Sequence, residues 1–426
     1  MRQAPTFLVL LLVAAEAVLA QPSVDSARLE DDIRTLATFG ANPEGGVSRV
    51  AFSDHDVAAR SWVTAEMRKA GLTVRVDAAG NLIGRREGSV AGLPAIAFGS
   101  HVDSVPGGGN YDRQVGVVAA LEVARVLPPT RHPIEVFVFV DEEGGLTGSR
   151  AMIGKLGPRA LTEMTHSGLT RGDGIRKLGG NPERLDEAER KRGDLAAFIE
   201  VHIEQGAVLD QSATQIGIVE GIVGIEWWDV TIEGMANHAG TTPMDARRDA
   251  LLAAARYVDA VNQVILAEPG RQVGTVGRIS ALPGAHNVIP GTVVTSLEIR
   301  DLSREKIWRL FGRVQERVEA IEAETGTRFS FELLDVSAIP ALMDPRVTEA
   351  IGRSAEALGL STTRMPSGAG HDAQDMAQIA PTGMIFVPSR GGISHSPLEY
   401  TRPEDIANGA EVLLGTVLLL DEVLDS

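Results

Sequence analysis

The chain has nine histidines and no cysteine. A metal here must therefore be held by His nitrogens and carboxylate oxygens. Thiolate ligands, a cysteine nucleophile, disulfides and lipid attachment at cysteine are all excluded. Candidate ligands fall in five short stretches: "AIAFGSHVDS" with His101 and Asp103, "GGGNYDRQVG" with Asp112, "IEVFVFVDEEGG" with Asp141, Glu142 and Glu143, "FIEVHIEQG" with His202, and "MIFVPSRGGISHSPLE" with His395. The third is the most pointed, because an apolar run from Ile134 to Val140 ends on three adjacent acids. Like charges repel, and burial raises that cost. Taken alone, the stretch also reads as a solvated turn after a strand; a bound cation is the reading that removes the repulsion. Imidazole and carboxylate together suit zinc, manganese, cobalt or nickel. His101 and Asp103 are two residues apart and share a face if extended, so Asp103 can accept the second imidazole N–H and fix its tautomer. A lone His is more often an ordinary hydrogen-bonded residue. His55, His132 and His166 take that reading, and His371 in "SGAGHDA" reads as support for a site rather than a ligand.

Elements that could bring these residues together are visible in the periodicity. From about residue 26 to 215, helical stretches (a first one around Ile33 to Thr38, then "ARSWVTAEMRKAG" and "VGVVAALEVARVL") alternate with β-type runs ("LTVRVDAAGNLIGRR", "PAIAFGS", "IEVFVFV", "AAFIEVHIE"). Continuous apolar strands separated by helices predict an α/β fold, a mostly parallel sheet with helices on both faces. Four of the five candidate ligands then come from strand-associated segments. In open α/β sheets ligands bind beyond the carboxyl ends of the strands, so the five can converge on one rim.

Residues 216 to 335 change character. "WWDVTIEG", "DARRDALLAAARYVDAVNQVIL", "QVGTVGRIS", "TVVTSLEIRDL", "EKIWRLFGRVQERVEAIEAE" and "FSFELLD" read as β-α-β-β-α-β, the ferredoxin-like order. "PRVTEAIGRSAEALG", "TGMIFVPS" and "RPEDIANGAEVLLGTVLLLDEVL" look like a return to the first unit. The expected organisation is a catalytic domain in two parts, 21–215 and 336–426, with a smaller α+β domain at 216–335 inserted.

The bulk properties limit the partners. With 57 acidic and 40 basic side chains the net charge is −17, and no Lys/Arg run appears, so nucleic acid and anionic membrane are excluded as expected partners. At the N-terminus Arg2 precedes the apolar run Phe7 to Ala15, and Val18-Leu19-Ala20 ends in small residues. That pattern predicts a secretory signal peptide over residues 1–20, hence a secreted or periplasmic protein with no membrane contact after cleavage; an uncleaved anchor is the plainer alternative.

On "GSHVDSVPGGGNYD", "DEEGG", "EVHIEQG", "ANHAGTTPMDARRDA", "NVIPG", "LEIRDL", "SGAGHDA" and "MIFVPSRGGISHSP" the chain resembles the N-carbamoyl-L-amino-acid hydrolase and allantoate amidohydrolase family. These are dinuclear-metal amidohydrolases of the aminoacylase and zinc-peptidase superfamily. The resemblance implies two divalent metal ions per subunit, one held by His101 and His202, the other by Glu143 and His395, with Asp112 bridging. It makes Glu142 the general base and His238 an oxyanion donor in the active site of the opposite subunit. It also implies a homodimer built through the inserted domain, which doubles as a lid. Gln205, Asn287 and Arg300 would contact a small-molecule carboxylate substrate, Arg300 by a bidentate guanidinium fork; the plainer reading of Arg300 is a salt bridge. Two departures stand out: the segment after the paired Glu is shortened to "DEEGGLTGSRAMIG", and Arg113 stands where a Gly often follows the bridging Asp. Allantoate-cleaving members resemble one another in a basic pair where this chain has Glu226-Trp227, which favours an N-carbamoyl-L-amino acid as substrate. A periplasmic aminoacylase or dipeptidase, or an allantoate amidohydrolase, are the competing enzymes. A metal-dependent binding protein is the competing class, and a carboxylate left over beside the ligands, Glu142, argues against it.

Overall fold

The computed structural model describes residues 22–334 and 338–424. The stretch read as a signal peptide lies outside them. The chain forms two main sheets of different character. The larger has nine strands, in the order Thr73–Val76, Leu82–Arg86, Ile134–Phe139, Ala95–His101, Leu195–Ile203, Thr382–Val387, Ile216–Ile222, Ala341–Leu342, with Thr362–Ser367 also paired to Ile216–Ile222. Its four central strands, from Ile134–Phe139 to Thr382–Val387, run parallel. On either side the pairing turns antiparallel, at Leu82–Arg86 and at Ile216–Ile222. The sheet is thus mixed rather than mostly parallel. The reason is local: Thr73–Val76 and Leu82–Arg86 form a hairpin over a five-residue turn, too short for the crossover that a parallel pair needs.

Alternate residues of the central strands feed two cores. Ile96, Phe98, Ile134, Val136, Val138, Ile199 and Val201 pack with the helices Ser26–Leu36, Asp54–Lys69, Gln114–Val126, Pro345–Ala357 and Pro403–Val423. Ala95, Ala97, Phe137, Phe139 and Phe198 face the opposite side, with Met152, Ala373 and Met376. Each fully buried Ile or Phe contributes roughly 1.5–3 kcal/mol relative to an exposed one. Burial on both faces explains why these strands read as unbroken apolar runs.

Helix starts follow their caps. The first helix spans Ser26–Leu36 rather than Ile33 to Thr38, because the Asp25 carboxylate accepts from the N–H groups of Ala27 and Arg28 and fixes the start seven residues earlier. Helix Gln114–Val126 lies hard against the sheet at Gly116, where a Cβ would stand 2.3 Å from the Val201 carbonyl oxygen and 2.6 Å from Ser100 Cβ. That close approach brings the loop before the helix, with Asp112, to the strands that carry His101 and His202.

The second sheet is wholly antiparallel, in the order Ile279–Leu282, Thr292–Asp301, Gly224–Glu233, Arg328–Leu333, with Val273–Thr275 paired to Thr292–Asp301. Helices Ala250–Ala267 and Arg304–Thr325 cover one face through a separate core that includes Trp228, Val230, Tyr257, Leu297, Leu310 and Phe311. Strand Ile216–Ile222 belongs to the large sheet, so the change of sheet falls at Gly224, one strand later than the division drawn at residue 216. The apolar run Ile216 to Ile222 has strand periodicity in either setting; only its partners reveal the sheet.

Candidate metal centre and active site

Because the four central strands share one direction, their carboxyl ends share one rim. His101 is the last residue of its strand, Asp141 to Glu143 follow Phe139, His202 is the penultimate residue of its strand, and His395 lies in the loop after Val387. Asp112 enters from the loop before helix Gln114–Val126. The convergence expected from the spacing is present: ligand atoms of His101, Asp112 and His202 lie within 4.8 Å of one another, and so do those of Asp112, Glu143 and His395.

Asp112 stands between the two groups. Its Oδ1 is 3.1 Å from His202 Nε2, and its Oδ2 is 3.1 Å from His395 Nε2. His395 Nε2 is also 3.4 Å from Glu143 Oε2. Glu142 takes a different position, with Oε2 3.6 Å from His101 Nε2 and no part in either three-residue group. Asp141 is occupied elsewhere: its Oδ2 accepts from Thr147 Oγ1 at 2.6 Å and Arg171 Nε at 3.0 Å, bracing the turn. The three adjacent acids thus have three different surroundings.

The electrostatics fit a cation site. Burial pushes Asp112 upward, but the hydrogen bonds from His202 and His395 outweigh it and hold the carboxyl well below the usual range. Burial opposes protonation of His202, yet the bond to Asp112 raises it to about 9, and the bond to Asp112 also raises His395. Burial, then repulsion from Glu143, lifts Glu142 well above the ordinary value; burial lifts Glu143 as well, against the pull of Arg113. The bonds from His202 and His395 to Asp112 join the same atoms that a divalent cation would join, and protons and a cation would compete for them. The donor set of two nitrogens or one, with carboxylate oxygens and no sulfur, suits such a cation.

Neighbouring residues hold this arrangement. Asp103 Oδ1 is 3.4 Å from His101 Nδ1 but makes no hydrogen bond to it; its carboxylate instead accepts from the backbone N–H groups of Glu142, at 3.4 Å, and Glu143, at 3.2 Å. Asp103 therefore orders the acidic turn more than the imidazole. His202 Nδ1 is 2.9 Å from the Ile203 carbonyl, which sets Nδ1 as a donor and leaves Nε2 as the atom that faces Asp112. Beneath it lie Glu200 and His371, a third group of potential ligands; Glu200 accepts from Ser100 Oγ and the Ala373 N–H, and the His371 ring packs edge-on to His202 at 4.4 Å. Burial, then the positive His202, keeps His371 neutral.

Sequence reading missed Glu399. This buried carboxylate accepts from the N–H groups of Tyr111 and Asp112, both at 2.8 Å, and from Ser394 Oγ and the His395 N–H, so it ties the Asp112 loop to the His395 loop. A Cβ on Gly109 would sit 2.3 Å from its Oε1, so glycine is required there. An acid four residues after His395 was the only signal available. Among the described residues, four of the seven non-glycine residues with positive φ, Arg113, Asp141, Gln205 and His395, also fall in this region, where surrounding contacts hold strained backbone.

The substrate-side residues divide. Gln205 is at the cluster, donating from Nε2 to Asp112 Oδ2 at 3.0 Å with Oε1 buried and unpartnered. Arg300 presents its fork to Glu298, Nε to Oε1 at 2.8 Å and Nη2 to Oε2 at 3.0 Å, while Nη1 donates to the Gly368 carbonyl. The plainer salt-bridge reading of Arg300 is what this single chain displays. His238 and Asn287 are exposed, on the small pairing of Asn237–His238 with Val288–Ile289 and beside it. Among the described residues no hydrogen bond or ion pair joins either to the cluster. His238 Nδ1 accepts from the N–H groups of Gly240 and Thr241, which places the ring proton of the neutral form on Nε2.

The chain is 42% identical over 406 residues to an N-carbamoyl-L-amino acid amidohydrolase of Geobacillus stearothermophilus, covering 92% of this chain and 98% of the relative. It is 40% identical over 406 residues to a ureidoglycolate hydrolase of Oryza sativa, covering 92% and 84%. Its fold is similar to that of a crystallised amidase of the hydantoinase/carbamoylase family from Burkholderia multivorans, with a TM-score of 0.86, 37% identity, and 93% and 98% of the two chains covered. These relatives do not support the expected location, and the secreted or periplasmic assignment is withdrawn: it rested on the N-terminal pattern alone, which lies outside the described residues. An apolar run followed by small residues is a short pattern, and alone it does not carry a location. The match to the peptidase family M20/M25/M40 spans residues 97–419, from the His101 strand through the His395 loop into the last helix, and the chain belongs to that family.

Proposed function

We propose that this protein is a metal-dependent amidohydrolase that cleaves a linear C–N bond in a small carboxylate substrate, an N-carbamoyl-L-amino acid. The observation that carries the reading is Asp112, with one carboxylate oxygen toward His202 and the other toward His395. A carboxylate so placed suits a bridge between two cations, one with His101 and His202, the other with Glu143 and His395. Zinc, manganese, cobalt and nickel all match these donors. When bound, such a pair acidifies a water and polarises the scissile carbonyl.

The chain's own residues supply the rest. Glu142, beside the ligands but outside both groups, accepts the proton of the attacking water and delivers it to the leaving nitrogen. Its raised proton affinity suits that cycle. Gln205 offers its unpartnered Oε1 to the substrate. Arg300 exchanges Glu298 for the substrate carboxylate, the two being chemically alike as partners of a guanidinium fork. Glu226-Trp227, standing where allantoate-cleaving members carry a basic pair, favours a carbamoyl amino acid, and the Trp227 indole N–H donates to the same Glu298.

The reading includes a homodimer. The second sheet, residues 224–333, serves as a ferredoxin-like dimerisation and lid domain inserted in the catalytic one. Leu251, Leu252, Val258 and Leu266 leave apolar surface on helix Ala250–Ala267, and Ile279 and Leu282 are exposed on the edge strand Ile279–Leu282, one side of which is unpaired among the described residues. His238, with its proton on Nε2, then stabilises the oxyanion in the neighbouring site, and Asn287 contacts substrate there. A second reading, hydrolysis of a ureido acid such as allantoate, is favoured by the similarity to the rice ureidoglycolate hydrolase.

The test is to remove metal with a chelator, reload with Zn²⁺ or Mn²⁺, and assay N-carbamoyl, N-acyl, dipeptide and allantoate substrates while measuring bound metal. Metal-restored release from N-carbamoyl-L-amino acids is expected. Turnover that persists in the fully stripped protein sinks the metal-centre reading, and preference for any other substrate class sinks the substrate.

A further inference from the structure

Arg113 follows Asp112 directly and is fully buried. Its backbone has φ 69° and ψ −52°, a conformation that suits glycine and strains an arginine. It sits at the cap of helix Gln114–Val126 without capping it. Its guanidinium curls back instead: Nε donates to the Asp112 carbonyl at 2.8 Å, and Nη1 reaches the Asp103 carbonyl at 3.3 Å and Glu143 Oε1 at 3.1 Å. Nη2 is buried against Gly108 and has no hydrogen-bond partner among the described residues. A strained, buried cation that leaves a donor unsatisfied, in contact with one member of a cation-binding group, is not explained by stability.

We propose that Arg113 is a positioning residue that occupies one oxygen of Glu143 and, as a fixed positive charge, makes the Asp112–Glu143–His395 half of the centre the weaker, exchangeable metal site. The inference rests on the metal-centre reading above. Two effects of Arg113 oppose each other. It orients Glu143, which would help binding, and it shares the carboxylate and repels a dication, which would hinder it. Orientation is already supplied by the Glu143 N–H, held by Asp103 at 3.2 Å, and by the turn that Asp141 braces. The carboxylates of Asp112, Glu143, Glu399 and Asp103 around the guanidinium offset part of the repulsion, but in a buried site what remains is weakly screened, so repulsion wins. In the other half, His101, Asp112 and His202, the guanidinium reaches only the Asp112 backbone carbonyl and none of the ligand atoms, so that half keeps more of its affinity. Glu143 is left with Oε2 alone, the oxygen that faces His395.

Isothermal titration of the metal-stripped full chain with Zn²⁺, with bound metal counted by elemental analysis, tests this. The wild type should show two classes of site, and His395→Ala should remove the weaker one. Arg113→Gly removes the charge and relieves the strained backbone; Arg113→Gln keeps a donor to Glu143 without the charge. Both should tighten the weaker class by about ten- to a hundred-fold, the range expected for removing one nearby charge, and move the tighter class by less than about threefold. Unchanged or loosened binding at the weaker class overturns the proposal, as does an equal shift of both classes. Failure of both variants to fold, by circular dichroism, assigns Arg113 to structure and overturns it too. A wild-type chain that binds no Zn²⁺ overturns the metal-centre reading itself, a separate result from any change on substitution.

Discussion

Replacing Glu142 with Gln separates proton transfer from metal binding. Glu142 stands 3.6 Å from His101 Nε2 yet belongs to neither three-residue ligand group, whereas Glu143 lies 3.4 Å from His395 within one. Gln keeps the shape and cannot take a proton. Loss of a positioned general base should lower kcat by about 10²–10⁴, a barrier increase of about 3–5 kcal/mol, with metal content and KM nearly unchanged. The substitution also has a sign that can be worked out for stability. Burial and the Glu143 charge raise the proton affinity of Glu142 in the folded, metal-free chain. A group whose folded pKa is raised contributes stability below its unfolded pKa, about 4.3 for Glu, and loses it as pH rises. Where both are ionised the pair is a cost, because like charges repel more strongly in a buried site than in water. Residual exposure and relaxation reduce that, so Glu142→Gln should stabilise the metal-free protein by about 1–2 kcal/mol at pH 7, and the gain should shrink as pH falls toward 4. Steady-state kinetics, elemental analysis and thermal melts in chelator check the three parts. If Glu142→Gln loses metal, the roles of the two Glu residues are exchanged. If it keeps near-normal turnover, Glu142 is not the base.

Glu143→Gln should instead weaken metal retention, seen by elemental analysis after dialysis, with kcat recovering as metal is added. Arg300→Ala should lower kcat/KM for a carboxylate substrate by the equivalent of about 2–4 kcal/mol, mainly through KM; no change would leave Arg300 as the partner of Glu298 alone. Mixing two inactive variants, Glu142→Gln and His238→Ala, should restore about a quarter of wild-type activity, because half the dimers formed are mixed and each holds one intact site; no recovery means that His238 does not serve the neighbouring subunit. Asp375 is pushed up to about 6 by burial. It therefore contributes stability below about pH 4, lost as pH rises through 6, and Asp375→Asn should raise thermal stability at pH 7 by about 1–3 kcal/mol and leave stability at pH 4 nearly unchanged.

How far the sequence reached, and where it stopped, follows from which interactions are local. Apolar runs such as Ile134 to Phe139, buried on both faces, mark strands because their signals lie within a few residues. The ligand types were legible too: without cysteine, a metal-binding chain has only His and carboxylates to use, and those at strand ends are brought to one rim by parallel strands. Tertiary structure alone decided the rest. Strand Ile216–Ile222 has the same pattern whichever sheet receives it, and its partners at Thr362–Ser367 and Thr382–Val387 lie more than a hundred residues away. Glu399 became a brace only when it met Asp112, 287 residues distant in sequence. Asp141, Glu142 and Glu143 are three equal letters in a row; it is the contacts with Arg171, His101 and His395, made across the fold, that give one carboxylate a structural partner and leave two facing the site.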